Sequence, residues 1–157
     1  MKPGDPAAVE QLFDSVASRY DQLNDLLSLG LHRQWKRQLQ CFLKPAAGET
    51  WLDLCCGTGD LALELARRVR PGGSVVGLDA AAAPLELARQ RQSRQPWLNV
   101  AFQQGDALAT GLPDGSVDGI VMAYGLRNLM DPAAGLVEMT RLLKPGRRAG
   151  VLDFNRL

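Results

Sequence analysis

Between Trp51 and Asp60 an apolar stretch, Trp51-Leu52-Asp53-Leu54-Cys55-Cys56, runs straight into Gly57-Thr58-Gly59-Asp60 and then into a helical pattern beginning Leu61-Ala62-Leu63. A strand that turns on paired glycines into a helix brings backbone without Cβ atoms to the carboxyl end of that strand, where it can lie against a ligand. The alternation continues down the chain. Strands are expected over 50–55, 74–79, 98–104, 117–124 and 148–154, and helices over 59–70, 83–95 and 132–143, with Pro71-Gly72-Gly73 and Lys144-Pro145-Gly146 as stops. That order predicts an α/β fold, a parallel sheet with helices on both faces and a ligand crevice beyond the strand carboxyl ends. Asp53 to Gly59, Asp79, Asp106 and Tyr124 to Asn128 all follow strands and so converge on that edge.

Ahead of the first strand the pattern is helical. One helix is expected over about Pro6 to Ser18, with Val9, Leu12, Phe13 and Val16 on one face; a second is expected near His32 to Leu43, burying Trp35, Leu39 and Phe42. Pro45 and Gly48 lead into the sheet, dividing the chain into a front segment, 1–48, and an α/β domain, 49–157.

A formal net charge of +1 argues against a general nucleic-acid binder. The arginines at 67, 68, 70, 89, 91 and 94 sit toward helix ends, where the helix dipole favours them. Cys41, Cys55 and Cys56 form neither a metal-ligand spacing nor a disulfide framework; Cys55 and Cys56 read as small side chains in a crowded strand end, with a reactive thiol as the competing reading. No metal site is expected. The amino terminus is unlike a signal peptide, and no apolar run approaches the roughly 20 residues needed to span a bilayer, so a cytoplasmic protein, at most peripheral to a membrane, is expected.

Gly57-x-Gly59-x-x-Ala62 also satisfies the dinucleotide fingerprint, with Asp79 placed 20 residues beyond Gly59 as a ribose-binding carboxylate. Charge separates the candidates. A pyrophosphate wants the bare positive end of the helix, yet Asp60 stands there and Asp53 precedes the turn. S-adenosylmethionine has an amino group, a sulfonium and no phosphate, so the same carboxylates favour it, and Asp106 is placed to receive an adenine amino group. The competing readings are a nicotinamide oxidoreductase, and aspartates that serve only as caps and turn residues.

Three blocks resemble a known family, the ubiquinone/menaquinone biosynthesis C-methyltransferases. They are Tyr20-Asp21-Gln22-Leu23-Asn24-Asp25 through His32-Arg33-Gln34-Trp35, the glycine loop, and Tyr124-Gly125-Leu126-Arg127-Asn128 through Lys144-Pro145-Gly146. Leu23 replaces the family's usual Met, and Arg147 stands where a second glycine is frequent. The Cys55-Cys56 pair and Leu152-Asp153-Phe154-Asn155 look most like the cyanobacterial and plastid branch, which methylates 2-phytyl-1,4-naphthoquinone; demethylmenaquinone and ubiquinone-precursor enzymes are the alternatives. The resemblance implies a Rossmann-like class I S-adenosylmethionine-dependent methyltransferase with strand order 3-2-1-4-5. It also implies cofactor-binding positions at Asp53, Gly57, Thr58, Gly59, Asp79, Asp106, Ala107 and Ala123, the last often Ser in the family.

Carbon methylation of a naphthoquinone needs the reduced quinol, deprotonated beside the accepting carbon. Passing a phenolic proton near pKa ~10 to a histidine near ~6.5 is uphill by about 5 kcal/mol, so His32 alone is insufficient. A cation beside the developing oxyanion offsets much of that, which assigns catalysis to Arg127 and Asn128, with His32 and Tyr20 as relay. A buried structural ion pair is the competing role for Arg127, and a structural histidine for His32. Asp21, Asn24 and Tyr124 are expected at the quinol, under a cover formed by the front segment. The run Leu26 to Leu31 beside Arg33, Lys36 and Arg37 offers a peripheral membrane contact, against core packing of those leucines.

The family continues past position 157 with a helix and two more strands, the sixth and seventh. Without them the fifth strand is expected as an open edge, available for pairing with another copy. Cofactor binding with weak turnover is therefore expected of the 157 residues, and a non-catalytic cofactor-binding module is the further alternative.

Overall fold

The computed structural model describes residues 30–153. The expected helix over 6–18 lies outside them. Helix α1 (Leu31–Leu43) leads into β1 (Thr50–Leu54), α2 (Asp60–Arg68), β2 (Ser74–Asp79), α3 (Ala82–Ser93) and β3 (Val100–Gln104). Then come β4 (Val117–Ala123), a 3-10 turn (Leu126–Asn128), α4 (Pro132–Leu142) and β5 (Leu143–Leu152). All pairings are parallel, in the order β3-β2-β1-β4-β5, as expected from the sequence resemblance. The chain leaves β1 in one direction and returns at β4 on its other side, which opens a crevice beyond the carboxyl end of β1.

Burial follows position in the sheet. Val117 to Met122 are all buried, as a strand covered on both faces requires, whereas edge strand β3 buries only Val100 and Phe102. On one face α1, α2 and α3 enclose Trp51, Leu61, Leu65, Leu85 and Phe102. On the other, α4 packs Met139 and Leu142 over Leu52, Leu54 and Ile120. Two glycines make room for aromatic rings: Gly77 lies beneath Phe102 and Gly119 beneath Trp51.

Helix α1 departs from expectation in its phase. Leu39 and Leu43 pack so closely on Gly150 of β5 that a Cβ there would lie 2.7 and 2.6 Å from their methyl carbons. This contact fixes the helix rotation, burying His32 and Gln40, half-burying Trp35 and Leu39, and leaving Phe42 71% exposed instead of buried. The fifth strand also begins earlier than position 148. Leu143 pairs with Val117 and Arg148 with Gly119, with a shift in register between them. Arg147 uses that irregularity to reach Glu49 (2.9 Å) and Asp118 (3.4 Å), while Lys144 reaches Asp118 at 3.1 Å. Burial opposes the charge on Asp118, but the Thr50 N–H and these cations prevail and hold its carboxyl below the usual range.

Gly59, the residue before α2, has φ 82°, and a Cβ there would meet Phe102 Cζ at 2.7 Å and Ala88 Cβ at 2.9 Å. Gly59→Ala combines a left-handed backbone penalty with overpacking and should cost about 2 kcal/mol. Urea unfolding should show it as a lower midpoint at unchanged slope.

Candidate active site

The glycine turn is held by its backbone and by one carboxylate. The Cys56 N–H donates to the Leu78 carbonyl (3.0 Å) and the Gly59 N–H to the Cys56 carbonyl (3.0 Å). Asp79, at the end of β2, accepts from the Gly57 N–H at 2.8 Å through one oxygen and from the Ala81 N–H at 2.9 Å through the other. Each oxygen keeps a second lone pair, so Asp79 can still accept from a ligand's hydroxyls. The two glycines have different tasks. Gly59 is filled in by Phe102 and Ala88, but a Cβ on Gly57 would meet nothing within 4 Å. The Cβ side of Gly57 is therefore open, whereas Gly59 is a packing position.

Asp53 lies behind this turn, 1% exposed, with one carboxylate oxygen unpartnered. Burial pushes its carboxyl up to about 8; Lys36 opposes the shift and the charge of Asp79 adds to it. A positive group placed beside such an acid would relieve the cost of ionising it. Asp60, at the start of α2, is exposed and pairs with Lys36 at 3.4 Å, so its repulsion of an anion is shared with a neighbouring cation.

Burial raises the Cys55 thiol to about 12 and Cys56 further, with Asp53 and Asp79 adding to both. Burial thus disfavours the thiolate in both, which argues against the reactive-thiol reading. Cys55 adopts φ 58°, and Gly125 sits so close that a Cβ on it would lie 2.6 Å from Cys55 Cβ. The ends of β1 and β4 are thereby locked together.

The remaining expected positions divide by surroundings. Thr58 is buried and its hydroxyl engages Arg91 of α3 at 3.1 Å. Asp106 is exposed, with one oxygen accepting from the Leu108 N–H at 2.8 Å, while Ala107 is buried. Ala123 closes β4, packed against the core of the first face. Tyr124 follows with φ 61°, and its N–H donates to the Leu152 carbonyl at 2.6 Å. Burial and the charge of Asp153 push its phenol up, with Arg127 opposing, so Tyr124 is unsuited to act as a base near neutral pH. Asn128 Nδ2 donates to the Tyr124 carbonyl at 3.4 Å.

Arg127 departs from the buried-pair reading. Its side chain is 48% exposed, with Nε 3.6 Å from Asp153 Oδ1, and its backbone N–H donates to Asp153 Oδ2 at 3.0 Å. Asp153, which follows β5, therefore fixes the turn that presents Arg127. Sequence reasoning missed it as a site residue, although it follows a strand as Asp79 and Asp106 do.

His32 is buried and lines a cavity of about 240 Å³ with Arg33, Asp60, Leu63, Arg67, Arg91 and Gln95. None of these comes from β4 or the 3-10 turn, so among the described residues His32 keeps company with the glycine-loop face, apart from Arg127. Tyr20, Asp21 and Asn24 lie outside the described residues. Among the described residues no three His, Cys, Asp or Glu side chains form a metal-binding group.

Solved structures share this architecture. A SAM-dependent methyltransferase from Aquifex aeolicus superimposes with a TM-score of 0.70 at 25% identity, covering 76% of this chain and 64% of that one. The YcgJ protein of Bacillus aligns with a TM-score of 0.72 at 27% identity over 77% of this chain and 50% of its own. The 2-phytyl-1,4-naphthoquinone methyltransferase of Thermosynechococcus vestitus is 52% identical over 94% of this chain. The chloroplastic 2-phytyl-1,4-beta-naphthoquinone methyltransferase of Arabidopsis thaliana is 44% identical over 92% of this chain, and the demethylmenaquinone methyltransferase of Lactiplantibacillus plantarum 40% identical over 94%. The chain spans 64%, 57% and 63% of the length of these three relatives, respectively. The model of the ubiE/COQ5 methyltransferase family matches residues 1–157 from end to end, so the carboxylate-flanked glycine turn and the Arg127 turn belong to a member of that family.

Proposed function

We propose that the chain binds S-adenosylmethionine and serves in the C-methylation of a reduced 2-phytyl-1,4-naphthoquinone, with demethylmenaquinol as the alternative acceptor. The observation that carries the reading is Asp53, a buried carboxylate with an unpartnered oxygen behind a glycine whose Cβ side is open. That pairing suits a ligand with a cationic group and a nucleoside body, and it penalises a pyrophosphate. When bound, S-adenosylmethionine supplies a methyl group on a positive sulfur. Asp53 would hold the ligand's ammonium, Asp79 the ribose hydroxyls, and the remaining oxygen of Asp106 the adenine amino group. Arg127, oriented by Asp153, would stabilise the quinol oxyanion, and residues 1–48 would contribute the cover. The acceptor assignment is supported by the 52% and 44% identities to phytyl-naphthoquinone enzymes, against 40% to the demethylmenaquinone enzyme.

The test is transfer of labelled methyl from S-adenosylmethionine to reduced phytyl- and prenyl-naphthoquinols in detergent. It should be run on this chain and on a chimaera carrying the carboxyl-terminal third of a relative. Label on the quinol ring, faster in the chimaera and faster with the phytyl compound, is expected. A chimaera that binds the cofactor and methylates neither quinol would leave the non-catalytic reading in its place.

A further inference from the structure

Residues 105–116 run from the carboxyl end of β3 back to the start of β4 with no helix and only one isolated bridge, between Asp106 and Ala109. A segment of that kind needs ties from elsewhere. Helix α4 supplies them. Through Oε1, Glu138 accepts from the Thr110 N–H at 3.0 Å and from the Thr110 hydroxyl at 2.7 Å. Arg141, one turn further along the helix, donates to Glu138 through Nε at 2.8 Å and Nη2 at 2.7 Å, and its Nη1 pairs with Asp114. The Arg141 carbonyl accepts from the Gly115 N–H at 2.9 Å. The segment is thus tied to α4 at its middle and near its end, while Ala107 packs in the same core as Met139 and Leu142.

Glu138 is 8% exposed, and the Arg141 hydrogen bonds, against burial and with Thr110 assisting, hold its carboxyl at about 2. It is ionised throughout the ordinary pH range. Buried ionised pairs are weak contributors to stability, because desolvation offsets most of the attraction and an apolar side chain of similar size often does as well. What this carboxylate does is local and directional. It accepts two hydrogen bonds from one residue of a segment without regular structure, just past the turn that begins at Asp106. That turn is itself closed, with the Leu108 N–H on an Asp106 side-chain oxygen (2.8 Å) and the Ala109 N–H on the Asp106 carbonyl (3.1 Å). Displacing Thr110 therefore displaces Asp106.

We infer that Glu138 is a positioning residue for nucleoside recognition: through Thr110 it sets where Asp106 offers its remaining oxygen to a ligand's adenine amino group. The inference rests on the proposed seat of the adenine at Asp106. Calorimetric affinities of the chain for S-adenosylhomocysteine and for its deaminated counterpart, S-inosylhomocysteine, test it. Deamination replaces the amino donor by a carbonyl acceptor, so the parent should prefer the adenosyl compound by about 10²-fold. Glu138→Leu keeps the volume of the side chain but not the acceptor and should cut that preference about tenfold; Thr110→Val removes only the hydroxyl and should cut it about threefold. The ratio is insensitive to folding, because a shortage of competent chain weakens both affinities by the same factor. Thr110→Val, the milder change, carries the test if the leucine variant does not fold. Asp106→Ala should abolish the preference. A preference that Asp106→Ala abolishes, but that Glu138→Leu and Thr110→Val leave at the parent's value, would overturn the inference and spare the seat at Asp106. Variants that weaken both ligands equally would do the same, making Glu138 a part of the fold alone. A parent without preference, or a preference unchanged by Asp106→Ala, would remove the seat and the inference with it.

Discussion

Asp53→Asn should weaken S-adenosylmethionine binding on the order of 10²-fold and at the same time stabilise the ligand-free chain at neutral and alkaline pH. Both effects come from one buried carboxyl. In the folded chain burial raises it from 3.8 to about 8, so between those values the folded state holds a proton that the unfolded state has released. Stability must then fall as pH rises from about 4 to 8 and level off above, a loss of roughly 6 kcal/mol from this group. Asparagine cannot ionise, and after ~1–3 kcal/mol for a poorly partnered amide a net gain of about 2 kcal/mol above pH 7 remains. Urea unfolding at several pH values should show the parent's decline and a nearly flat variant. A variant that loses stability together with binding would mean that Asp53 is a structural carboxylate.

Arg127→Ala should lower methyl transfer by about 10²- to 10³-fold, the cost of removing one group that stabilises an oxyanion, while leaving cofactor affinity within about twofold. The separation is expected because Arg127 sits on the turn after β4, held by Asp153, whereas the glycine turn is held by Asp79. Asp153→Asn keeps the guanidinium but loosens its seat, so a smaller loss of about tenfold is expected. Single-turnover rates beside calorimetric affinities distinguish the two effects; a loss of affinity equal to the loss of rate would place Arg127 in cofactor binding instead.

Features set by local pattern were legible before the structure. The unbroken apolar run of β4, the stops at Pro71 and Pro145, and the glycine turn after β1 gave the parallel sheet, and the family resemblance gave its strand order. The convergence of Asp53, Asp79, Asp106 and Arg127 on one edge follows from the same alternation. What distant packing decides was not legible. Phe42 has the spacing of a core residue, but Gly150, more than a hundred positions later, sets the helix phase and turns it outward. Gly57 and Gly59 look equivalent in sequence; only Phe102 and Ala88 distinguish the packed one from the open one. Thr58 sits in the loop yet is claimed by Arg91, and Asp153 was hidden because β4 must lie beside β5 before it can reach the Arg127 turn. The ionisation of Asp53 depends on complete burial, which a strand position alone does not specify.

The most direct test is a calorimetric titration of the chain at pH 7 with S-adenosylmethionine and, separately, with NAD, in two buffers of different ionisation enthalpy. Saturable binding of S-adenosylmethionine with release of close to one proton is expected, because a cationic ligand should ionise Asp53, and no binding of NAD is expected. Binding of NAD in preference to S-adenosylmethionine, or S-adenosylmethionine bound with no proton released, would contradict a turn built around a buried acid for a cationic nucleoside.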